Sequence, residues 1–210
     1  MIPIKTILTC LLFALVIIKT SAQQEIKFVE DLKDDARVQI NRIINDYDLD
    51  DWVFTDVVKI VHGEDARSYP VLQMNTDFLE DDEIQLSIFI HENAHIFIAR
   101  DEKDEAENRV IRKLRSLFPN PPAPLQKNLY HHIMVAWIEY DALIELFNEQ
   151  KAREIMERKI KYFTRDNLES PLFQNYAWYN HTAMNHPEKV GQLMMEFGFN
   201  IHPEKGIVIK

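Results

Sequence analysis

Two histidines four residues apart bracket a glutamate in the stretch His91-Glu92-Asn93-Ala94-His95. In a helix of about 3.6 residues per turn, positions i and i+4 share a face, so both imidazoles can reach one metal ion. Glu92 is rotated about 100° from His91. It is therefore placed to reach past such an ion to a water molecule and act as a general base rather than a ligand, which is the mechanical content of an H-E-x-x-H motif. The flanks, Ile88-Phe89-Ile90 and Ile96-Phe97-Ile98, predict a helix that is buried on both sides of the motif. Buried imidazoles and carboxylates need partners, and a metal supplies one. The blander expectation is a hydrogen-bonded core pair or a polar stripe on a surface helix.

A catalytic zinc site has three protein ligands and an open position. A sharp turn after His95 would need glycine at 98 and a ligand at 101. Position 98 is Ile98, which disfavours Asp101. A glutamate nineteen residues after His95 would fall on Leu114. A carboxylate from a later helix remains. Glu139 follows six apolar residues, Ile133 to Ile138, where an unpaired carboxylate is costly, and it is the leading candidate for the third ligand. The alternative is a helix-seam glutamate matched by an Arg, Lys or Tyr. Glu145, near Asn148 and Glu149, is a weaker candidate. His132 lies seven residues before Glu139, on nearly the same face and about 10 Å along the axis. It is a candidate hydrogen-bond donor to an oxyanion in the transition state, against the alternative of a core or surface histidine. His131 is expected to point elsewhere, into solvent. Tyr176, Tyr179 and His181 form a second polar-aromatic cluster that could supply the same donor. Asp141 could orient a ligand histidine from behind. Asn180-His181-Thr182 matches a glycosylation acceptor.

The elements that must position these residues are mostly helical. Apolar spacing predicts a helix over 31–46. The β-branched and aromatic run 52–62 reads as a strand, as does 69–74, with Pro70 at its edge or start. Asp81 and Asp82 are good helix starters, and 84–100 continues without Pro or Gly. A charged helix over 102–117 precedes four prolines between 119 and 124, which force an open loop. A long, mostly apolar helix follows over 126–149. Two or three more fill 150–197, one starting near Pro187. A short β-region followed by helices is an α+β arrangement, and 210 residues suffice for one domain with a sizeable core.

Residues 1–22 are of a different character. Lys5, the apolar run Ile7 to Ile18 and the exit Lys19-Thr20-Ser21-Ala22 predict a secretory signal peptide. The apolar run is short of the about 20 residues that span a bilayer. The expected product is a secreted or periplasmic domain over 23–210, without stable membrane insertion. The segment 23–50 reads either as a small pro-region or as part of the core. The single cysteine, Cys10, would leave with the leader. The net charge of −10 would fall to about −12 on losing Lys5 and Lys19, which argues against nucleic acid and anionic membranes as partners. With only four glycines, and neither GxGxxG nor a phosphate loop, a nucleotide fold is not expected.

The HENAH motif, with a glutamate on a downstream helix, resembles the gluzincin branch of the zincin metallopeptidases at minimal size. The resemblance covers about residues 53–147. It implies a zincin-like fold in which a small sheet is followed by an active-site helix and a second ligand-bearing helix. It also implies one zinc ion per chain on His91, His95 and Glu139, water activated by Glu92, and hydrolysis of a peptide or protein substrate. An edge strand such as Tyr69 to Met74 would pair with the extended substrate. The chain departs from the better-known subfamilies in its spacing to the glutamate and in the sequence around it. Two other expectations stand beside this one. The first is a catalytically inactive zincin-like binding protein whose metal is structural. The second is a metal-free helical envelope protein.

Overall fold

A computed structural model of the chain describes residues 29–47, 49, 52–55, 57–69, 71–99, 104–124, 128–165, 169–199 and 201. The expected signal peptide and Asp101 lie outside these residues. The described elements run α1 (Val29–Asp46), β1 (Val58–Ile60), β2 (Leu72–Met74), α2 (Asp82–Ala99), α3 (Asp104–Leu117), α4 (Leu129–Leu146), α5 (Glu149–Thr164), α6 (Pro171–Asn185) and α7 (Pro187–Glu196). The architecture is mostly helical with one small sheet, which is the α+β class expected from the element order.

Helix α4 is the axis of the core. Ile133 through Tyr140 are all buried, and a helix that is apolar all round must be covered on every side. Its neighbours α2, α3, α5, α6 and α7 provide that cover. Helix α7 comes close because Gly191 has no side chain. A Cβ there would lie 2.8 Å from Cζ2 of Trp137 on α4, so the glycine is required by packing rather than by backbone conformation. Helix α2 is the second buried element. Its buried residues run from Ile84 through Ile98 with few interruptions.

The start of α2 is fixed by its own sequence. The Asp81 carboxylate accepts a hydrogen bond from the Ile84 N–H at 3.1 Å, an N-cap that satisfies one orphan donor of the first turn. Asp82 and Glu83 add negative charge at the positive end of the helix. Arg42 of α1 donates to Asp82 at 2.6 Å, and Arg158 of α5 donates to Asp81 and Glu83 at 3.0 Å each. These pairs are about a third to a half exposed. Each contributes little energy alone, but together they set the direction in which α2 presents its motif.

The β-region is smaller than the sequence suggests. Of 52–62 only Val58–Ile60 is strand, and of 69–74 only Leu72–Met74. The two pair in parallel with Val58 opposite Leu72. The first half of the expected strand docks onto α2 instead. The Phe54 N–H donates to the Asn93 side-chain oxygen at 2.9 Å, and Asn93 donates to the Phe89 carbonyl at 2.9 Å. Gln73 is the residue of β2 whose backbone groups face away from β1. Its N–H and C=O are both bonded to Arg67, at 2.7 and 3.0 Å. That bridge closes the middle of the edge where an extended peptide was expected to pair. No helix among the described residues is long and apolar enough to cross a membrane.

Asn93, the third residue of the motif, is thus structural. It is fully buried and faces the 52–55 segment. Asn93→Ala leaves the Phe54 N–H without its partner, which costs about 1–3 kcal/mol. For a domain of this size that lowers Tm by roughly 2–10 °C. Thermal denaturation followed by circular dichroism checks this.

Candidate metal centre

Helix α2 carries His91, Glu92 and His95, and α4 carries His131, His132 and Glu139. These two helices pack against each other, so four histidines meet at one seam. Ring centroids lie 5.1 Å apart for His91 and His95, 5.1 Å for His95 and His132, and 6.2 Å for His91 and His132. One ligand atom from each of His91, His95 and His132 falls within 4.8 Å of the others. Around a tetrahedral ion with metal–nitrogen bonds of 2.0–2.1 Å, such atoms sit about 3.4 Å apart. These three residues could hold a metal ion.

The hydrogen bonds around the rings determine which nitrogen is free. His91 Nδ1–H donates to Glu139 Oε2 at 2.8 Å. His132 Nδ1–H donates to the Asn128 carbonyl at 2.9 Å. Both acceptors lack a proton, so both rings must carry theirs on Nδ1. His131 Nδ1–H donates to the Glu107 carboxylate at 2.7 Å. In a neutral ring that leaves His131 Nε2 as an acceptor. The 2.9 Å contact between His95 Nδ1 and His131 Nε2 is then donated by His95. Every ring of the trio has Nδ1 tied outward and Nε2 without a hydrogen-bond partner among the described residues. Outer partners of this kind orient ligand histidines and raise their basicity.

Burial keeps His95 and His132 in the form a metal requires. It pushes the His95 pKa far below the usual imidazole range, assisted by the neighbouring His91, His131 and His132. It brings His132 down to about 4, with the charge on His91 adding to the effect. A neutral imidazole has a lone pair to give.

Glu139 sits behind His91, not among the three ligand atoms. It is completely buried and is held by three groups: His91, the Ser87 hydroxyl and the Lys159 ammonium of α5. Burial alone would raise its pKa. The Lys159 charge and the hydrogen bond and charge of His91 outweigh that and bring it down to about 2. The sequence reading of Glu139 contained both possibilities, a metal partner and a seam glutamate matched by a cation. The structure shows the matched cation and, in addition, a contact to the first motif histidine.

Glu92 has a different environment. It is 9 % exposed and has no hydrogen-bond partner among the described residues. Burial raises its pKa, while the charges of His91 and Lys159 pull the other way. Tyr179 of α6 stacks on His132 with centroids 5.0 Å apart, and Tyr176 lies 5.3 Å from Tyr179. Burial holds both phenols protonated, well above their usual pKa, and the carboxylates of Glu139 and Glu92 reinforce this. Both tyrosines belong to the site's surroundings. His181 does not; it is 42 % exposed and pairs with Glu157 at 3.2 Å. Glu145 is exposed, and neither it nor Asp141 joins the histidine group. Asn180 is fully buried and donates to the Tyr176 carbonyl, so the glycosylation acceptor is inaccessible in the folded chain.

Sequence reasoning missed four members of the site. His131 is half-buried and bonded at both nitrogens, rather than solvated. Ser87 had a signal, since it is a polar residue one turn before His91 on the same face of an apolar helix. Glu107 and Lys159 had none, because each lies in a helix rich in charged residues. Comparisons of the chain with protein-family models, with curated proteins and with solved structures gave no match.

Proposed function

We propose that the protein is an exported zinc-dependent hydrolase of peptide bonds, with His91, His95 and His132 as the metal ligands and Glu92 as the general base. The observation that carries the reading is the trio of imidazoles, each tied outward at Nδ1, beside a buried carboxyl; neither the three Nε2 atoms nor that carboxyl has a hydrogen-bond partner among the described residues. Among the described residues no fourth His, Cys, Asp or Glu joins the group, and an open position distinguishes a catalytic from a structural zinc site. The donor set also fits zinc, which takes imidazole nitrogen in tetrahedral geometry. This keeps the H-E-x-x-H part of the gluzincin resemblance and changes the third ligand. His132 takes the place expected for Glu139, which becomes the carboxylate that orients His91.

A bound zinc ion supplies a water of lowered pKa and polarises the scissile carbonyl. The chain's own residues do the rest. Glu92 accepts the proton of the attacking water and returns it to the leaving amine. Its burial raises its affinity for a proton, and this favours the abstraction from water. The protonated phenol of Tyr179, whose ring stacks against His132, is the donor to an oxyanion in this reading. His132 is thereby relieved of the donor role assigned to it from sequence.

The test is a mixed peptide library incubated with the zinc-loaded protein and read by mass spectrometry. Cleavage that stops with a chelator and returns with zinc is the expected result. A fully loaded protein that cuts no peptide would overturn the peptidase reading.

A further inference from the structure

The charge of this centre is unusual for its burial. Lys159 is 1 % exposed and ion-paired to Glu139, which is 0 % exposed. The pair lies directly behind His91. Three imidazoles that ligate a metal through Nε2 and keep their one proton on Nδ1 bring no charge of their own. The one carboxylate in contact with a ligand is cancelled by a lysine. Among the described residues Glu92 therefore remains as the only buried, uncancelled acid near the trio. Glu107 lies beyond His131, is 24 % exposed and is screened by solvent. A divalent ion held here keeps at least one positive charge that no buried side chain balances, even with Glu92 ionised. Burying net charge is costly, so the site gains by taking an anion.

Resting on the metal site proposed above, we infer that this centre selects an anionic ligand because Lys159 cancels the charge of Glu139, and that its substrate carries an ionised carboxylate beside the scissile bond. Lys159 acts through Glu139 and His91 and does not touch substrate. It is a positioning residue whose charge, rather than its bulk, matters. A carboxylate at the open position feels the pair's two charges with opposite signs. Deleting one member must then move carboxylate affinity in the opposite direction from deleting the other. A merely structural role would move both the same way.

The probe is acetate, the smallest carboxylate, with acetamide as its neutral counterpart. Both are titrated into the cobalt-loaded protein, and the visible absorption of the ion is followed. Acetate is expected to shift the spectrum with at least about tenfold higher affinity than acetamide. Lys159→Met is expected to weaken acetate about tenfold and Glu139→Gln to tighten it. The double variant, which again has no net charge in the pair, should return to the wild-type value. Acetamide should be indifferent to all three. Equal affinities for acetate and acetamide in the wild-type protein would overturn the inference while leaving the metal site standing. This comparison needs no variant and survives any that fails to fold. Shifts of the same sign in both single variants would remove the pair from the explanation. A wild-type protein that binds no cobalt would overturn the metal site itself, and the inference with it.

Discussion

Glu92→Gln is expected to lower kcat by about 10²- to 10⁴-fold, the usual contribution of a positioned general base, while the protein keeps its metal. The argument rests on where Glu92 sits and what it lacks. It shares α2 with two of the three ligands but is rotated off their face. It is buried, and no described residue satisfies its oxygens. A carboxyl that is 9 % exposed and has no partner among the described residues is open to hold a water to be deprotonated. Glutamine preserves the volume and removes the base. Steady-state hydrolysis of a peptide identified in the library, with zinc content measured on the same sample, checks this. Full activity in the variant would remove Glu92 from the mechanism.

His132→Ala is expected to lose zinc under conditions that leave the wild-type protein loaded. It deletes one of three first ligands and leaves two histidines on one helix. The informative comparison is with Glu139. Replacing an outer partner of a ligand histidine costs about 10–100-fold in metal affinity, but the ion still binds when zinc is in excess. Removing Glu139 alone would strand the Lys159 charge in the core, a loss of about 3–5 kcal/mol. Glu139→Gln is therefore combined with Lys159→Met, which leaves the interior neutral. Competition titration against a zinc chelator is expected to rank wild type first, the double variant next and His132→Ala last. The reverse order of the two variants would make Glu139 the ligand and His132 the outer residue, as first expected from sequence.

Helix boundaries and the motif were legible because they are local. Asp81 caps α2 through a hydrogen bond three residues away, and Pro187 starts α7 where a missing N–H does no harm. His91, Glu92 and His95 are arranged by helix period alone. What was not legible is long-range pairing. The choice between Glu139 and His132 turns on how α4 rotates against α2, and that rotation depends on side chains from α5 and α6 that no spacing rule reaches. Lys159 decides the state of Glu139 from twenty residues away, inside a helix whose other lysines and arginines look the same. The strand over 52–62 was overextended for a related reason. Its β-branched residues describe a half-buried extended segment, but whether that segment meets another strand or the buried Asn93 is a tertiary matter.

Zinc K-edge absorption of the loaded protein tests the central claim most directly. One ion per chain, with three imidazole nitrogens at 2.0–2.1 Å and a single additional light atom, is the result this account predicts. Two imidazoles with a carboxylate would contradict the ligand set. No bound zinc after refolding with excess metal would contradict the metal centre altogether.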